Sequence, residues 1–136
     1  MSDMTLSDHD YRTLAEFRYA LRRFLSLSET AARSAGLTPR QHQALLAIKG
    51  ADGAAPIGLG DLAERLALHH NSMVELADRL ADSGLVSRIP DSTDRRRVRL
   101  ALTPAGEEKL AALSAIHLEE LRRMRPVLQR LIDRLT

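Results

Sequence analysis

The sequence predicts a mostly α-helical protein that carries one β-hairpin. Aromatic residues make up only 3% of the 136 residues and Trp is absent, so the core must be built from aliphatic side chains and Met. Such a core suits helix-on-helix packing better than a β-sandwich. Apolar residues recur at helical spacing along most of the chain, whereas 97–100 alternates charged and apolar residues as a half-buried strand does. The length predicts one domain.

The composition excludes several classes of protein. With 44% hydrophobic and 28% charged residues the chain has the balance of a globular protein rather than a disordered one. No apolar run approaches the roughly 18 to 20 residues of a membrane span, and the acidic first ten residues do not resemble a signal segment. The chain has no cysteine, which excludes disulfides and thiolate chemistry. We therefore expect a cytoplasmic protein.

The first predicted helix is long. Ser7 and Asp10 have the spacing of a capping box, and Gly36 suits the turn that ends a helix. Between them apolar residues recur at helical spacing: Leu14, Phe17, Leu21, Phe24, Leu25 and Ala31. A helix over 8–34 would be about 40 Å long. Because this exceeds the size of a small core, we expect a second subunit to supply part of its packing.

The second predicted helix begins with a strong start signal. Thr38 is placed to cap it, Pro39 fits the first turn and Gln41 can reach back to the cap. The helix is expected to end near Gly50. The following segment, 50–60, is rich in Gly, Ala and Pro and predicts a loop with a short strand near Ile57.

Two short helices with a tight turn between them are predicted next. Each has an apolar face, formed by Leu62, Ala63 and Leu66 in the first and by Met73, Val74, Ala77 and Leu80 in the second. The break falls around 68–70, and Gly84 supplies the final turn. This is the helix-turn-helix pattern, although any small helical bundle also contains two short helices.

A β-hairpin rich in arginine follows directly. The strands are predicted over 85–89 and 97–102, with a turn at 90–93. Five Arg stand against two Asp from Arg88 to Thr103. Charged residues on a hairpin can have a purely protective role, in which they prevent other strands from pairing with its exposed edge. Arginines beside a helix-turn-helix also suit contacts with phosphate and with the minor groove, and four of them lie at the tip and second strand: Arg95, Arg96, Arg97 and Arg99.

The chain ends in another helical segment. Thr103 and Pro104 give the same cap-plus-proline start, and the apolar pattern continues to the C-terminus. Pro126 lies inside this pattern, so we expect the helix to bend or split there.

Three segments in this order resemble the MarR family of bacterial winged-helix transcriptional regulators. The stretch 94–103, DRRRVRLALT, matches the family's wing signature, D-x-R followed by an apolar-x-Leu-Thr end. The stretch 37–48, LTPRQHQALLAI, resembles the family's L-T-P-x-Q segment, and 62–86 resembles its helix-turn-helix.

The resemblance implies a winged helix-turn-helix fold with long dimerisation helices at both ends and a two-stranded β wing. The dimerisation helices would lie within 1–36 and 104–136, and the DNA-binding lobe would span 37–103. Such a protein is a homodimeric, sequence-specific DNA-binding regulator, typically a repressor, that reads a palindromic operator. It is not an enzyme.

Carried over by position, the wing arginine that reaches the minor groove is Arg96. Asp94 would hold the wing through a charge-assisted hydrogen bond without touching DNA. The remaining wing arginines, Arg95, Arg97 and Arg99, would be secondary phosphate contacts.

In the family, the second helix of the helix-turn-helix enters the major groove. Its candidate contacts here are His70, Asn71, Ser72 and Arg79, and Asn71 could either read adenine or cap the helix. The chain has His69 and His70 where the family often has Ser, and imidazole is a poorer N-cap. It also has Glu75 where the family often has Arg. Glu75 either reads a base or turns away from the groove, and we favour the second reading.

The resemblance also implies a small amphipathic or aromatic effector bound between the dimer helices and the lobe. The candidate lining residues are the polar and aromatic groups of the first two helices, Tyr11, Arg18, Tyr19, His42 and Gln43, although for each of them a place in the ordinary core or surface is the favoured reading. A bound anion would change the spacing of the two recognition helices and release the operator.

Metal binding and catalysis are not predicted. None of the five histidines forms an H-x-x-x-H or H-E-x-x-H set, and no nucleophile elbow, P-loop or dinucleotide fingerprint occurs. We therefore expect no metal and no cofactor. The alternative function is a winged-helix protein-interaction module without DNA binding, which Glu75 and the net charge of only +2 favour.

Overall fold

The computed structural model describes residues 5–51, 55–94 and 96–135. The described elements follow one another as α1 (Asp8–Ser34), α2 (Pro39–Gly50), β1 (Ile57–Gly58), α3 (Leu59–Arg65), α4 (His70–Asp82), β2 (Val86–Pro90), β3 (Val98–Leu102) and α5 (Pro104–Arg134). Among these helices, none combines the length and the apolar character needed to cross a membrane. The mostly helical prediction and the order of elements are confirmed.

The predicted cap fixes the start of α1. Ser7 Oγ accepts from the Asp10 N–H at 3.2 Å, and Asp10 Oδ2 accepts from the Ser7 N–H at 2.9 Å. The hydrogen bond from the Ser7 backbone lowers the pKa of Asp10. At the other end Gly36 adopts φ +80°, which lets the chain turn back so that the Leu37 N–H reaches the Ala32 carbonyl at 2.9 Å.

The start of α2 uses the same device. Thr38 Oγ1 accepts from the Gln41 N–H at 3.1 Å, and Gln41 Oε1 accepts from the Thr38 N–H at 3.0 Å. Pro39 stands in the first turn, where a missing N–H costs nothing.

The three strands form one antiparallel sheet in the order β1-β3-β2. The predicted hairpin pairs β2 with β3, in a register that sets Val86 opposite Leu102. The short strand expected near Ile57 is β1, and it adds a third strand by pairing Ile57 with Leu100. The wing is therefore tied at its base to the loop before α3.

The core lies within the lobe formed by α2, α3, α4 and the sheet. Among the described residues, the largest side chains with less than 2% of their surface exposed are Leu45, Leu62, Met73, Leu80, Leu100 and Leu113. Leu113 comes from the first half of α5, so that helix closes one side of the lobe. Burial of each such side chain contributes about 2 kcal/mol to folding.

Outside the lobe, α1 and α5 pack side by side in opposite directions. Arg134 Nη1 donates to Glu16 Oε2 at 2.7 Å near one end, and His117 Nε2 lies 2.7 Å from Ser28 Oγ further along. These two helices leave many large apolar side chains at least 39% exposed: Tyr11, Leu14, Phe17, Tyr19, Leu21, Leu25, Ile116, Leu118, Leu121 and Ile132.

Helix α5 runs unbroken through Pro126, where the sequence predicts a bend or a split. The expected split is absent. Proline removes the hydrogen bond that its own N–H would make to the Arg122 carbonyl, and its ring crowds that carbonyl. Met124 and Val127, close to it in sequence, line a hollow between α1 and α5.

Candidate nucleic-acid interface

The helix-turn-helix is formed by α3 and α4. The turn between them is closed by the Leu68 N–H, which donates to the Ala63 carbonyl at 2.9 Å, and Ala67 takes φ +54° there. Helix α4 buries Met73, Leu76, Ala77 and Leu80 against the lobe. The N-cap residue His69 makes no side-chain capping bond, so the N–H groups of the first turn of α4 stay available.

The outward side of α4 carries the predicted contact residues. His70, Asn71 and Ser72 are exposed in its first turn, and Arg79 is exposed in its last. Glu75 is exposed one turn after Asn71 and is not turned into the lobe.

A groove of about 520 Å³ separates α4 from the wing. Its walls bring together residues that are distant in sequence: Gly58, Asp61, His70, Val74, Asp78, Arg88, Asp91, Arg96, Arg97 and Arg99. Arg88 of β2 forms an ion pair with Asp78 of α4 across this groove. Sequence reasoning did not single out Arg88 or Asp78, because only the packing of α4 on β2 reveals that they meet.

Asp94 organises the tip of the wing. Its Oδ1 accepts from the Arg96 N–H at 3.0 Å, and its carbonyl accepts from the Arg97 N–H at 3.0 Å. The guanidinium Nε atoms of Arg96 and Arg97 lie 3.6 and 3.8 Å from the carboxylate. The Arg96 side chain is nevertheless 93% exposed, so it extends from a turn that Asp94 shapes. Arg95 lies outside the described residues.

The base of the wing holds a second acid–arginine pair. Arg99 Nη1 donates to the Pro56 carbonyl at 2.6 Å, and Arg99 Nη2 lies 3.3 Å from Asp91 Oδ2. The Asp91 side chain is 5% exposed and accepts from the Thr93 N–H at 2.9 Å, which lowers the pKa of Asp91. Arg99 was predicted as a phosphate contact, but the structure engages its guanidinium inside the chain.

The five predicted effector-lining residues do not meet in one chain. Tyr11, Arg18 and Tyr19 are exposed along the first half of α1, and Gln43 is exposed on α2. Tyr19 and Arg18 line two separate hollows of the surface. His42 is 4% exposed and belongs to the core.

His42 packs instead against His117 of α5, with ring centroids 4.8 Å apart. His117 Nδ1 lies 2.6 Å from the Leu113 carbonyl, and the ring meets Phe24 edge-on at 5.7 Å. Burial, and then the charge of His117, lower the pKa of His42. Nothing local in the sequence links these two histidines. In the part of the chain that the structure describes, no three His, Asp or Glu side chains are grouped to hold a metal ion.

Comparison with known proteins agrees with this geometry. The model of the MarR family matches residues 35–97, which run from the end of α1 to the wing. Over this stretch the chain is similar to the MarR family, and its fold is that of MarR structures. Members of this family are winged-helix transcription regulators and not enzymes. No curated protein matches the sequence.

Several solved structures share the MarR fold. NadR in complex with 4-hydroxyphenylacetate matches with a TM-score of 0.72 and 24% identity, over 96% of this chain and 86% of that one. A probable transcriptional regulator from Pseudomonas aeruginosa is 29% identical, with a TM-score of 0.63 over 88% of this chain and 93% of that one. An S. aureus MepR–DNA complex matches with a TM-score of 0.66 and 19% identity, over 86% of this chain and 93% of that one.

Proposed function

We propose that this protein is a homodimeric, sequence-specific DNA-binding repressor of the MarR type. Residues 1–36 and 104–136 supply the dimerisation helices, and residues 37–103 form the DNA-binding lobe. The observation that carries the proposal is the pairing, across one groove, of the exposed side of α4 with the arginine wing. The S. aureus MepR structure, which contains DNA, supports the same use of this fold.

Each part of this surface has a distinct task in the proposal. Helix α4 enters the major groove, which is wide enough for a helix. The side chains that contact base edges there are those of His70, Asn71, Ser72 and Arg79. Arg96 reaches into the adjacent minor groove, where negative potential attracts a guanidinium.

The other wing residues hold the reading groups in place. Arg95 and Arg97 contact phosphates, and Asp94 shapes the turn from which Arg96 extends. We assign Arg99 to positioning the wing through Asp91, since its guanidinium is already engaged there.

The exposed apolar side of α1 and α5 supports the dimer. Monomeric proteins rarely leave large contiguous apolar patches in water, and these two helices expose apolar side chains along much of their length. A second copy covers such a face by two-fold symmetry. The same symmetry makes the preferred DNA site an inverted repeat, with half-sites about one helical turn, roughly 34 Å, apart.

A small aromatic acid is proposed as the effector. The NadR structure holds 4-hydroxyphenylacetate, which supports this class of ligand. We place its site between the dimer helices and the lobe, where the exposed residues Tyr11, Arg18, Tyr19 and Gln43 are available to a ligand and His42, in the core, is not. Titrating the protein–DNA complex with aromatic carboxylates should lower the affinity for DNA, and an unchanged affinity over the solubility range of these acids would contradict the effector proposal.

The DNA-binding proposal is tested by measuring affinity for duplex DNA over a series of salt concentrations. Fluorescence anisotropy should show log K falling linearly with log salt for the wild type. Arg96→Ala should bind more weakly and reduce the slope by about 0.9, the value for one phosphate contact. Arg12→Ala, which removes an exposed arginine of α1, is the matched control and should keep the slope.

A protein-interaction module without DNA binding is the second candidate. The observation that favours it is the acidic character of the exposed side of α4, where Glu75, Asp78 and Asp82 face solvent. The two candidates separate at low ionic strength. Binding of duplex DNA supports the repressor, whereas absence of binding to every duplex tested supports the interaction module.

A further inference from the structure

The exposed face of α4 forms an acidic stripe. Asn71, Glu75, Asp78 and Asp82 recur at intervals of three or four residues, which places them on one side of the helix. The opposite side is buried in the lobe. In the proposed complex the stripe therefore faces the floor of the major groove, between two rows of phosphates.

The three carboxylates of this stripe differ in their surroundings. Asp78 is neutralised by its ion pair with Arg88. Asp82 is the last residue of α4, at the edge of the stripe. Glu75 lies at the centre, and no hydrogen bond or ion pair joins it to any residue that the structure describes. Both oxygens of Glu75 are thus free to accept hydrogen bonds from a partner.

A free carboxylate in the major groove discriminates among the four bases because it can accept hydrogen bonds but cannot donate them. Phosphates repel it, so its presence is favourable only where an amino group donates to it. Guanine presents only acceptors at its major-groove edge, and thymine presents an acceptor beside a methyl group. Adenine has an amino group, but its acceptor N7 stands alongside. Cytosine N4 is a donor on a base that presents no acceptor of its own in the major groove, and Glu is suited to accept from it.

We infer that Glu75 is a specificity-determining residue that selects a cytosine in each half-site, which replaces the reading favoured from the sequence, that Glu75 turns away from the groove. The inference rests on the proposed DNA-binding function and adds the base that α4 requires. Asn71 lies one turn earlier, about 6 Å along the helix axis. Since base pairs are stacked 3.4 Å apart, the cytosine lies within about two pairs of the base that Asn71 contacts.

Selection of bound duplexes from a random pool tests this inference. Wild-type sites should show cytosine at one position of each half-site. Glu75→Gln should lose that preference by about tenfold and accept adenine, because glutamine pairs with adenine N6 and N7, while the other positions stay unchanged. Glu108→Gln makes the same change at an exposed glutamate of α5, outside the stripe, and should keep the wild-type site.

Three outcomes would overturn the inference in distinguishable ways. If Glu75→Gln selects the wild-type sites with the same base preferences, Glu75 does not read a base, while the repressor proposal stands. If the variant binds all duplexes more tightly with no change of preference, Glu75 only repels phosphate. If the wild type enriches no sequence at all, the proposed function fails and this inference fails with it.

Discussion

Replacing Gly106 by alanine probes the joint between the DNA-binding lobe and α5. Gly106 is buried in the first turn of α5, and a Cβ built there would overlap the carbonyl oxygen of Leu85 and lie 3.1 Å from its carbonyl carbon. That oxygen also accepts from the Thr103 N–H at 3.1 Å, and Thr103 Oγ1 donates to the Gly84 carbonyl at 2.6 Å. The start of α5 therefore cannot move away from the chain before β2 without breaking these bonds.

The expected cost follows from these contacts. Overpacking of this kind costs about 1–3 kcal/mol, and losing the Thr103 hydrogen bond adds about 1 kcal/mol. Alanine is favoured over glycine in a helix by about 1 kcal/mol, which offsets part of the loss. The unfolding free energy should fall by about 2 kcal/mol. With an unfolding entropy of roughly 0.3 kcal/mol/K for a chain of this length, Tm should fall by about 7 °C.

Gly60→Ala is the matched control, since Gly60 is also helical but no atom lies within 4 Å of its added Cβ. It should leave stability unchanged or raise it by up to about 1 kcal/mol. Urea unfolding followed by far-UV circular dichroism, at one protein concentration for all variants, measures both effects. If both variants change the unfolding free energy by the same amount, or if Gly106→Ala leaves it unchanged, the close contact between Gly106 and Leu85 does not constrain the start of α5.

Two further substitutions test the interior. Burial, and then His117, lower the pKa of His42 from 6.5, so the unfolded chain binds the proton more readily and the unfolding free energy should drop as pH falls below about 6.5. His42→Leu should reduce this dependence of the unfolding free energy on pH. The control His9→Leu, on the exposed start of α1, should leave it unchanged. If the wild type and His42→Leu show the same dependence, His42 does not cause it. Arg99→Met should lower the unfolding free energy by about 2 kcal/mol and speed hydrogen exchange in the wing, because it breaks a largely buried ion pair. Arg97→Met, with a 74% exposed side chain, should change stability by about 0.5 kcal/mol or less, and equal effects of the two would contradict the positioning role of Arg99.

Local signals in the sequence predict the elements well. The caps at Ser7 and Thr38 depend on partners three residues away, so the spacing of residue types is enough to find them. The strands of the hairpin follow from alternation, and the start of α5 from Thr103 before a proline. In each case the physical cause lies within one turn or one strand.

Contacts between distant segments could not be predicted in this way. Arg99 donates to the Pro56 carbonyl, 43 residues earlier in the chain. No pattern in the wing sequence indicates that this carbonyl lies within reach of Arg99. The same holds for His117 and Ser28, which are 89 residues apart. These contacts arise from the packing of whole elements, and that packing assigned Arg99 and His42 to surroundings different from those expected.

In the proposed complex, a dimer of this protein binds two symmetric half-sites on one duplex. This arrangement is tested most directly by a hydroxyl-radical footprint on a selected duplex, together with the mass of the complex from sedimentation. Two protomers on one duplex, with protected backbone in two symmetric regions about one helical turn apart, is the predicted result. A single protomer on the duplex, or no protected region at low salt, would contradict it.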